Sequence, residues 1–388
     1  MKKIWIMAGE SSGDLYGARL AVALKKLGAE RNEEIEISGM GGAKMIDAGV
    51  PVKVDSTELG VMGIFEVAKM LFTFLRIFRR LVRLAAEERP DAVVLIDYPG
   101  FNLRFAKAMY KLGIKVIWYI SPQVWVWGKK RIPVLTKICS EIMVIFPFEV
   151  DFYREAANYP AKFVGHPLLN IVDERAAETP GLVRDPDDFL LLPGSRKSEI
   201  TRLLLPMLRS SIEIAKKHPQ LRFHLSTPRE YVADFCRRTI AKFRRTHPAL
   251  PEIDVSVGDT GYWLRKAGTG IAASGSVTVE AAISGIPLVV GYKLNYFTLL
   301  LAAVLVKLYR GFFVMPNIIA NKEIYKELLQ YRFAPYRIVP EVEKILPGGS
   351  RRTEVENDLS QIRTLLAGKS TDAAMQAATV CLDAIQKQ

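Results

Sequence analysis

Residues 270–292 read GIAASGSVTVEAAISGIPLVVGY, and this stretch decides the fold. Residues 271–273 form a short apolar run and Ser274-Gly275-Ser276 a small-residue turn. Residues 278–283 carry a helical pattern that Gly285-Ile286-Pro287 stops, and 288–290 are apolar again. The pattern predicts a strand–helix–strand crossover of a parallel sheet. Small side chains in the turn let a ligand approach the backbone. The free N–H groups at the helix start favour an anion. Glu280 lies one turn further on, where a carboxylate is poorly placed for phosphate and well placed to accept hydrogen bonds from a ribose diol. An ordinary crossover with a small-residue turn fits the same letters, because such patterns host many functions.

Bulk properties narrow the choice. A chain of 388 residues suits two domains, and 49% apolar with 24% charged residues is a globular composition. Cys139, Cys236 and Cys381 are far apart without a CxxC pair, and His166, His218, His224 and His247 form no HExxH. These spacings predict a reducing compartment and no structural metal. The net charge of +13 favours a polyanionic partner: nucleic acid, phosphorylated ligand or anionic membrane. The N-terminal MKKIWIMAGESSGD is too briefly apolar for a signal peptide and reads as a first strand. The apolar run 296–306 is broken by Lys307 and is too short to span a bilayer. The expectation is a soluble protein that at most lies on a membrane surface.

The same βα grammar runs through the first half. A strand over 3–8 leads into Gly9-Glu10-Ser11-Ser12-Gly13-Asp14 and a helix to Leu27. Glycines at 9, 13 and 17 are not a GxGxxG fingerprint, and no P-loop lysine follows, so this is a ligand-facing loop without a cofactor signature. A second glycine loop, 39–42, follows a strand over 35–38. Residues 64–88 read as a helix with Arg76, Arg79, Arg80 and Arg83 on one face. Its C-terminal half fits a crossover helix with arginines in water. The N-terminal half is apolar on too many sides for that, and Phe65, Met70, Leu71, Phe72, Phe74 and Leu75 become candidates for lipid contact. A strand over 91–96 ends at Asp97, and Tyr98-Pro99-Gly100 suits a type II turn with Asn102 opening the next helix. Asp97 then sits where α/β sheets place their chemistry, as a general base or as a turn residue. Gln123, Trp125 and Trp127 crowd the loop after a strand over 115–120, to cover a sugar or acyl chain or to pack on the core. His166, before a proline at the domain exit, reads as structural.

In the second half Asp185-Pro186-Asp187 matches a metal-binding DxD only formally, since its central proline sits in a polar linker. After a strand over 189–192, Pro193-Gly194-Ser195-Arg196-Lys197 precedes a long helix: a glycine, a serine and two cations at a helix start. Arg196 is assigned to a diphosphate. Residues 203–208, including Met207, form another apolar cluster, and 296–313 repeat the amphipathic theme. Residues 315–321 read as a polar-bearing turn, 323–330 as a helix, and 351–388 as two terminal helices without a derivable docking site.

Two doubly wound halves with these loops suggest a GT-B type nucleotide-sugar enzyme. The motifs GESSGD (9–14), IDYPGFN (96–102), SPQVWVWG (121–128), FVGHP (163–167), LLPGSRKSE (191–199), SGSVTVE (274–280) and PNIIANKE (316–323) occur in order, nearly end to end. Together they resemble the lipid-A-disaccharide synthase family. Tyr98 and Gly100 depart from it, where relatives often carry Ala and Asp. The resemblance implies an α/β fold of two Rossmann-like doubly wound domains facing a cleft, with C-terminal helices. Residues 1–166 would bind the acceptor, 167–350 the UDP-sugar, and 351–388 form the terminal helices. It implies an inverting transfer from UDP-2,3-diacylglucosamine to 2,3-diacylglucosamine 1-phosphate, with no metal and no cofactor, on the cytoplasmic surface of the inner membrane. Asp97 would take the acceptor proton. Ser195, Arg196, Gly258, Ser274, Gly275, Ser276 and Glu280 would hold UDP, with Gly258 at the uracil. Glu10, Ser11, Gln123 and Asn317 are weaker candidates for acceptor or sugar contacts. The acyl chains give Met207 and the other apolar clusters a reason as inner-leaflet contacts. A UDP-N-acetylglucosamine 2-epimerase would share Arg196 and Glu280 without needing a membrane. A nicotinamide dehydrogenase is opposed by the misplaced glycines, and a non-catalytic basic membrane protein explains only the charge. Nucleic acid is not an expected partner, and a homo-oligomer is compatible with the sequence.

Overall fold

In the computed structural model the described residues are 1–56, 67–293, 311–368, 370 and 372–386. The chain divides into two compact units, Met1–Pro167 with Leu366–Gln388, and Leu168–Leu365. The first carries a seven-stranded sheet of β1 (Lys2–Ala8), β2 (Ile35–Gly41), β3 (Val52–Asp55), β4 (Ala92–Ile96), β5 (Lys115–Tyr119), β6 (Glu141–Val144) and β7 (Lys162–Phe163). Its order is β3-β2-β1-β4-β5-β6-β7, every pair parallel. The second unit carries β8 (Asp185–Leu192), β9 (Arg222–Thr227), β10 (Ile253–Val257), β11 (Ala267–Ala273), β12 (Leu288–Tyr292) and β13 (Lys326–Leu329). Their order is β10-β9-β8-β11-β12-β13, again all parallel. Each sheet reverses its winding once, between β1 and β4 and between β8 and β11. Open α/β sheets bind ligands at that switch point.

Parallel strands covered on both faces must be apolar throughout. The Ala-Val-Val-Leu-Ile of β4 and all seven residues of β11 are buried. One face of the first sheet packs Trp5, Trp118, Phe101, Phe105 and Tyr153 into a single core. The helix Val67–Glu88 adds Ile77, Leu81 and Ala85 to it, while Arg76, Arg79, Arg80 and Arg83 stay exposed. The C-terminal half of that helix is therefore a crossover helix, as its periodicity predicts.

Several expectations are corrected. The glycines at 39–42 do not form a ligand loop: Gly39 to Gly41 finish β2. The buried Asp14 accepts from the backbone N–H groups of Gly42 (2.7 Å), Lys44 (2.9 Å) and Met45 (3.1 Å), tying down the short helix Ala43–Asp47. A side chain on Gly42 would run into that carboxylate. Residues 323–330 are not a helix, despite their helix-forming letters. Lys326–Leu329 pairs with β12, and Tyr325 is buried with its hydroxyl on Ile286 O (2.9 Å), so sheet pairing overrides local propensity. Residues 315–321 are the helix Met315–Ala320 rather than a turn. Asp185 and Asp187 lie in β8 rather than a linker, and Arg222 holds Asp185 at 2.7 Å and Asp188 at 2.8 Å.

The terminal helices separate from one another. The helix Arg352–Ala367 belongs to the second unit as far as Leu365, and its Arg352 donates to Gly268 O (2.8 Å). Ala373–Gln386 belongs to the first unit and packs on the helix Ser11–Glu30. Its buried Ala377, Ala378 and Cys381 are small residues, which let a neighbouring helix approach closely, while Gly13 and Gly17 of the helix Ser11–Glu30 face Ala8, Ile96 and Met45. Asp383 holds Arg31 at 2.8 Å. The expected boundary at 351 is replaced by one inside the terminal segment, at 366.

Candidate active site

At the switch point of the first sheet, Asp97 and Tyr98 follow β4 with φ of 41° and 46°. The helix Pro99–Lys111 starts at once, with Pro99 in its first position, so the expected type II turn and helix start at Asn102 are both corrected. Two adjacent non-glycine residues in the left-handed region store roughly 1–2 kcal/mol each. The fully buried Asn102 holds the turn by donating from Nδ2 to Ile96 O (3.1 Å) and Asp97 O (2.9 Å). A side chain on Gly9, at the end of β1, would collide with the Tyr98 ring, so the loops after β1 and β4 touch. Glu10 and Ser11 are exposed on the first of these. Burial, and next the charge of Glu10, push the Asp97 carboxyl up to about 6, against the pull of the Tyr98 backbone N–H. Such a group is ionised at neutral pH yet basic enough to take a proton.

Asp97 lines a cavity of about 380 Å³ with Ser121, Gln123, Arg131 and Phe146. That volume falls within the roughly 300–1,000 Å³ of small-molecule sites. Trp125 packs edge-on against Phe148 (5.2 Å). Behind the cavity wall Glu149, 1% exposed, accepts from the Phe146 backbone N–H (3.3 Å). Burial pushes its carboxyl up to about 8. His166 is buried beside Phe146, and burial lowers it to about 3, consistent with a structural role.

At the second switch point, β8 and β11 run side by side in the register Leu191↔Ile271 and Leu192↔Ala272. Their loops are therefore neighbours. A Cβ on Gly194 (φ 110°) would stand 2.8 Å from Glu199 Oε2 and 3.6 Å from Ala273 Cβ. Glu199 accepts from the Arg196 backbone N–H (3.4 Å) at the start of the helix Lys197–Lys217. The Arg196 side chain is 80% exposed, 3.8 Å from Glu199. Ser195 and Ser276 are exposed, and Gly275 faces open space on its Cα side. The Ser274 N–H is committed to Gly291 O (2.9 Å). The helix Val277–Ile283 spans only seven residues, and Thr278 Oγ1 closes its own turn on Gly275 O (2.7 Å). The longer helix and Arg196 therefore dominate the positive potential here.

Glu280 is half-buried and ion-paired with Arg175 of the helix Leu168–Glu178. Burial raises its carboxyl against the pull of that guanidinium. Gly258 has φ of 77° and open space at its Cα, and its N–H is spent on Thr227 O (2.8 Å).

Two candidates are corrected. Asn317 is fully buried, donates to Tyr325 O (2.7 Å) and Glu327 (2.8 Å), and accepts from the N–H groups of Ile324 and Tyr325 (2.9 Å each). Its amide is saturated by the fold and has nothing left for a sugar. Met207 is fully buried with Leu203, Leu204 and Leu208, so it is a core residue rather than a membrane contact. Of the other membrane candidates, Leu75 is 37% exposed. Phe74 packs edge-on against Phe101 (5.2 Å) with the Arg104 guanidinium 5.7 Å from its ring. Phe65, most of 296–313 and the side chains of Met70, Leu71, Phe72 and Trp127 lie outside the described residues. Sequence reasoning gave no role to Arg131, Glu149 or Arg175. Glu149 had a signal in the run Phe146-Pro147-Phe148-Glu149, a carboxylate among aromatics.

Solved structures share this architecture. A putative UDP-N-acetylglucosamine 2-epimerase from Listeria monocytogenes matches with a TM-score of 0.66 at 15% identity, over 100% of this chain and 96% of that one. The UDP-GlcNAc 2-epimerase from Neisseria meningitidis gives 0.65 at 12%, over 100% of both chains. A spinosyn rhamnosyltransferase complexed with thymidine diphosphate gives 0.54 at 14%, over 99% of this chain and 100% of that one. At such identities the likeness speaks for the fold alone, and the fold is that of the GT-B-type α/β enzymes. Sequence carries the assignment further. The family model described as Lipid-A-disaccharide synthetase matches residues 4–380. Lipid-A-disaccharide synthases of Koribacter versatilis and Trichlorobacter lovleyi are 37% and 35% identical, covering 97% and 96% of this chain and the same shares of their own. That of Coxiella burnetii is 36% identical over 94% of each chain. The chain belongs to the lipid-A-disaccharide synthase family.

Proposed function

We propose that this chain joins UDP-2,3-diacylglucosamine to 2,3-diacylglucosamine 1-phosphate, giving the β-1,6-linked tetraacyl disaccharide 1-phosphate and UDP. Beyond family membership, the observation that supports it most is Asp97, a desolvated carboxyl on a strained turn in a cavity of sugar size. The acceptor 6-hydroxyl attacks the anomeric carbon of the donor as the bond to UDP breaks, with inversion. Its proton passes to Asp97. The charge that develops on the diphosphate meets Arg196 and the backbone N–H groups that open the helix Lys197–Lys217. Ser195, Ser276 and Gly275 border the same anion, and Glu280 accepts from the ribose hydroxyls after exchanging part of its contact with Arg175. Glu10, Ser11 and Gln123 orient the acceptor sugar. Charge neutralisation by Arg196 in place of a metal gives an enzyme that works without one. Leu75 and the arginine face of Val67–Glu88, with the net charge of +13, favour work at an anionic membrane surface that supplies both lipids.

The test is disaccharide formation by purified protein with both lipids in detergent and EDTA. Disaccharide and UDP in equal amounts are expected. Epimerisation of UDP-N-acetylglucosamine without disaccharide would overturn the assignment, and activity that needs added Mg²⁺ would overturn its metal independence.

A further inference from the structure

Arg131 closes the 3-10 turn Lys129–Arg131, directly after the cavity-edge helix Val124–Trp127. At three residues per turn the three cations point in directions about 120° apart. Of the three, only Arg131 lines the Asp97 cavity, while Lys129 and Lys130 add positive potential from outside. Its stem rests on Gly128, where a Cβ would stand 3.4 Å from Arg131 Cδ. No ion pair among the described residues engages any of the three, whereas two arginines that line another groove are committed. In the groove between the helix Glu230–Thr246 and β10, Arg237 holds Glu230 and Asp234 and Arg244 holds Glu252.

Arg131 also stands apart from the base. A guanidinium against Asp97 would hold that carboxyl down, yet the carboxyl is pushed up and Arg131 has no part in its balance. Glu149, the other carboxyl near this wall, is buried and neutral at pH 7, so it does not cancel the cation. One cavity thus offers a proton acceptor in one part of its wall and an uncommitted cation in another. A sugar that gives its 6-hydroxyl to Asp97 has its anomeric substituent on the other side of the ring oxygen. We propose that Arg131 binds the 1-phosphate of the acceptor and thereby selects a phosphomonoester-bearing acceptor over its dephosphorylated form. The inference rests on the reaction proposed above. The forked guanidinium suits two phosphate oxygens at once, which a lysine ammonium does not.

The experiment crosses two acceptors, 2,3-diacylglucosamine with and without its 1-phosphate, against wild type, Arg131→Gln and Arg131→Lys, in detergent. Wild type is expected to favour the phosphorylated acceptor. Arg131→Gln raises its KM by roughly ten- to a hundredfold and erases the preference, and Arg131→Lys falls between. The KM for the UDP-sugar and the rate on the dephosphorylated acceptor stay within about twofold, which a misfolded variant could not do. Equal losses on both acceptors, or an intact preference, overturn the proposal while leaving the reaction standing. If equal losses come with weaker sedimentation on anionic vesicles, the cation serves a lipid headgroup instead. No disaccharide from wild type with either acceptor would remove the reaction itself.

Discussion

At the end of β4 a carboxyl is held in a left-handed turn and driven up to about 6; at the end of β8 an arginine stands 80% exposed on a glycine loop. The two sheets wind alike, and both sites sit at the reversal of strand order. The difference lies in what surrounds the charged group. The first site desolvates its carboxyl and sets Glu10 near it, so that the charge is held with difficulty and a proton is welcome. The second leaves its cation in water, with only a distant Glu199, ready to be desolvated by a ligand. In the reaction proposed above, one topology would serve proton removal at one switch point and anion stabilisation at the other.

Asp97→Asn breaks the comparison most severely. It keeps the turn and Asn102's hold on the backbone but removes the base, and kcat should fall by roughly 10²–10⁴ with UDP affinity unchanged. The wild-type rate should climb as pH rises through about 6, where Asp97 ionises. Stability runs the other way. A carboxyl whose folded value is raised stabilises the fold below its unfolded value, and that contribution is lost as pH rises through the folded one. The variant should therefore melt higher than wild type at pH 8 and no higher at pH 4. A variant that keeps wild-type kcat would leave Asp97 as an acceptor ligand only.

Arg196→Ala strikes the second site. The side chain makes only a 3.8 Å contact with Glu199, so the melting temperature should barely move. The cost should appear as roughly a ten- to hundredfold loss in kcat, because the interaction strengthens as charge develops on the leaving diphosphate. A rise in donor KM at constant kcat would mean that Arg196 binds the ground state and transition state alike.

The elements that carry this contrast are legible in the sequence, and the misreadings share a cause. Buried β4 and β11, and the glycine loop before Arg196, are local patterns, and they read correctly. Asn317, Met207 and the strand Lys326–Leu329 were misread because their roles are set by partners elsewhere in the chain. Asn317 looks like a polar loop residue until Tyr325 and Glu327 surround it. Met207 looks available until its face of the helix is buried. The terminal helix Ala373–Gln386 gives no hint in its own letters that it returns to the helix Ser11–Glu30, because a face of small residues specifies closeness rather than a partner. Asn102 was quoted within its motif, yet its function, holding the strained turn under Asp97, needs the path of the backbone.

Glu149 sharpens the comparison with the smallest effect, since it touches stability more than rate. Its carboxyl is raised to about 8 by burial, above the ordinary 4.5, so the folded chain keeps a proton that the unfolded chain has released. Between these values the unfolded state binds fewer protons, and stability falls as pH rises from about 4.5 to about 8 and levels off above. Glu149→Gln preserves the shape and a hydrogen-bond acceptor for the Phe146 N–H, and it removes the titration. Melting curves across pH 5–9 should show the variant losing less stability than wild type over the lower part of that range. The rate at pH 6 should be little changed, because Glu149 is neutral there. Parallel melting curves would mean that the carboxyl ionises freely behind the cavity, and Asp97 would then stand before a second negative charge rather than a neutral wall.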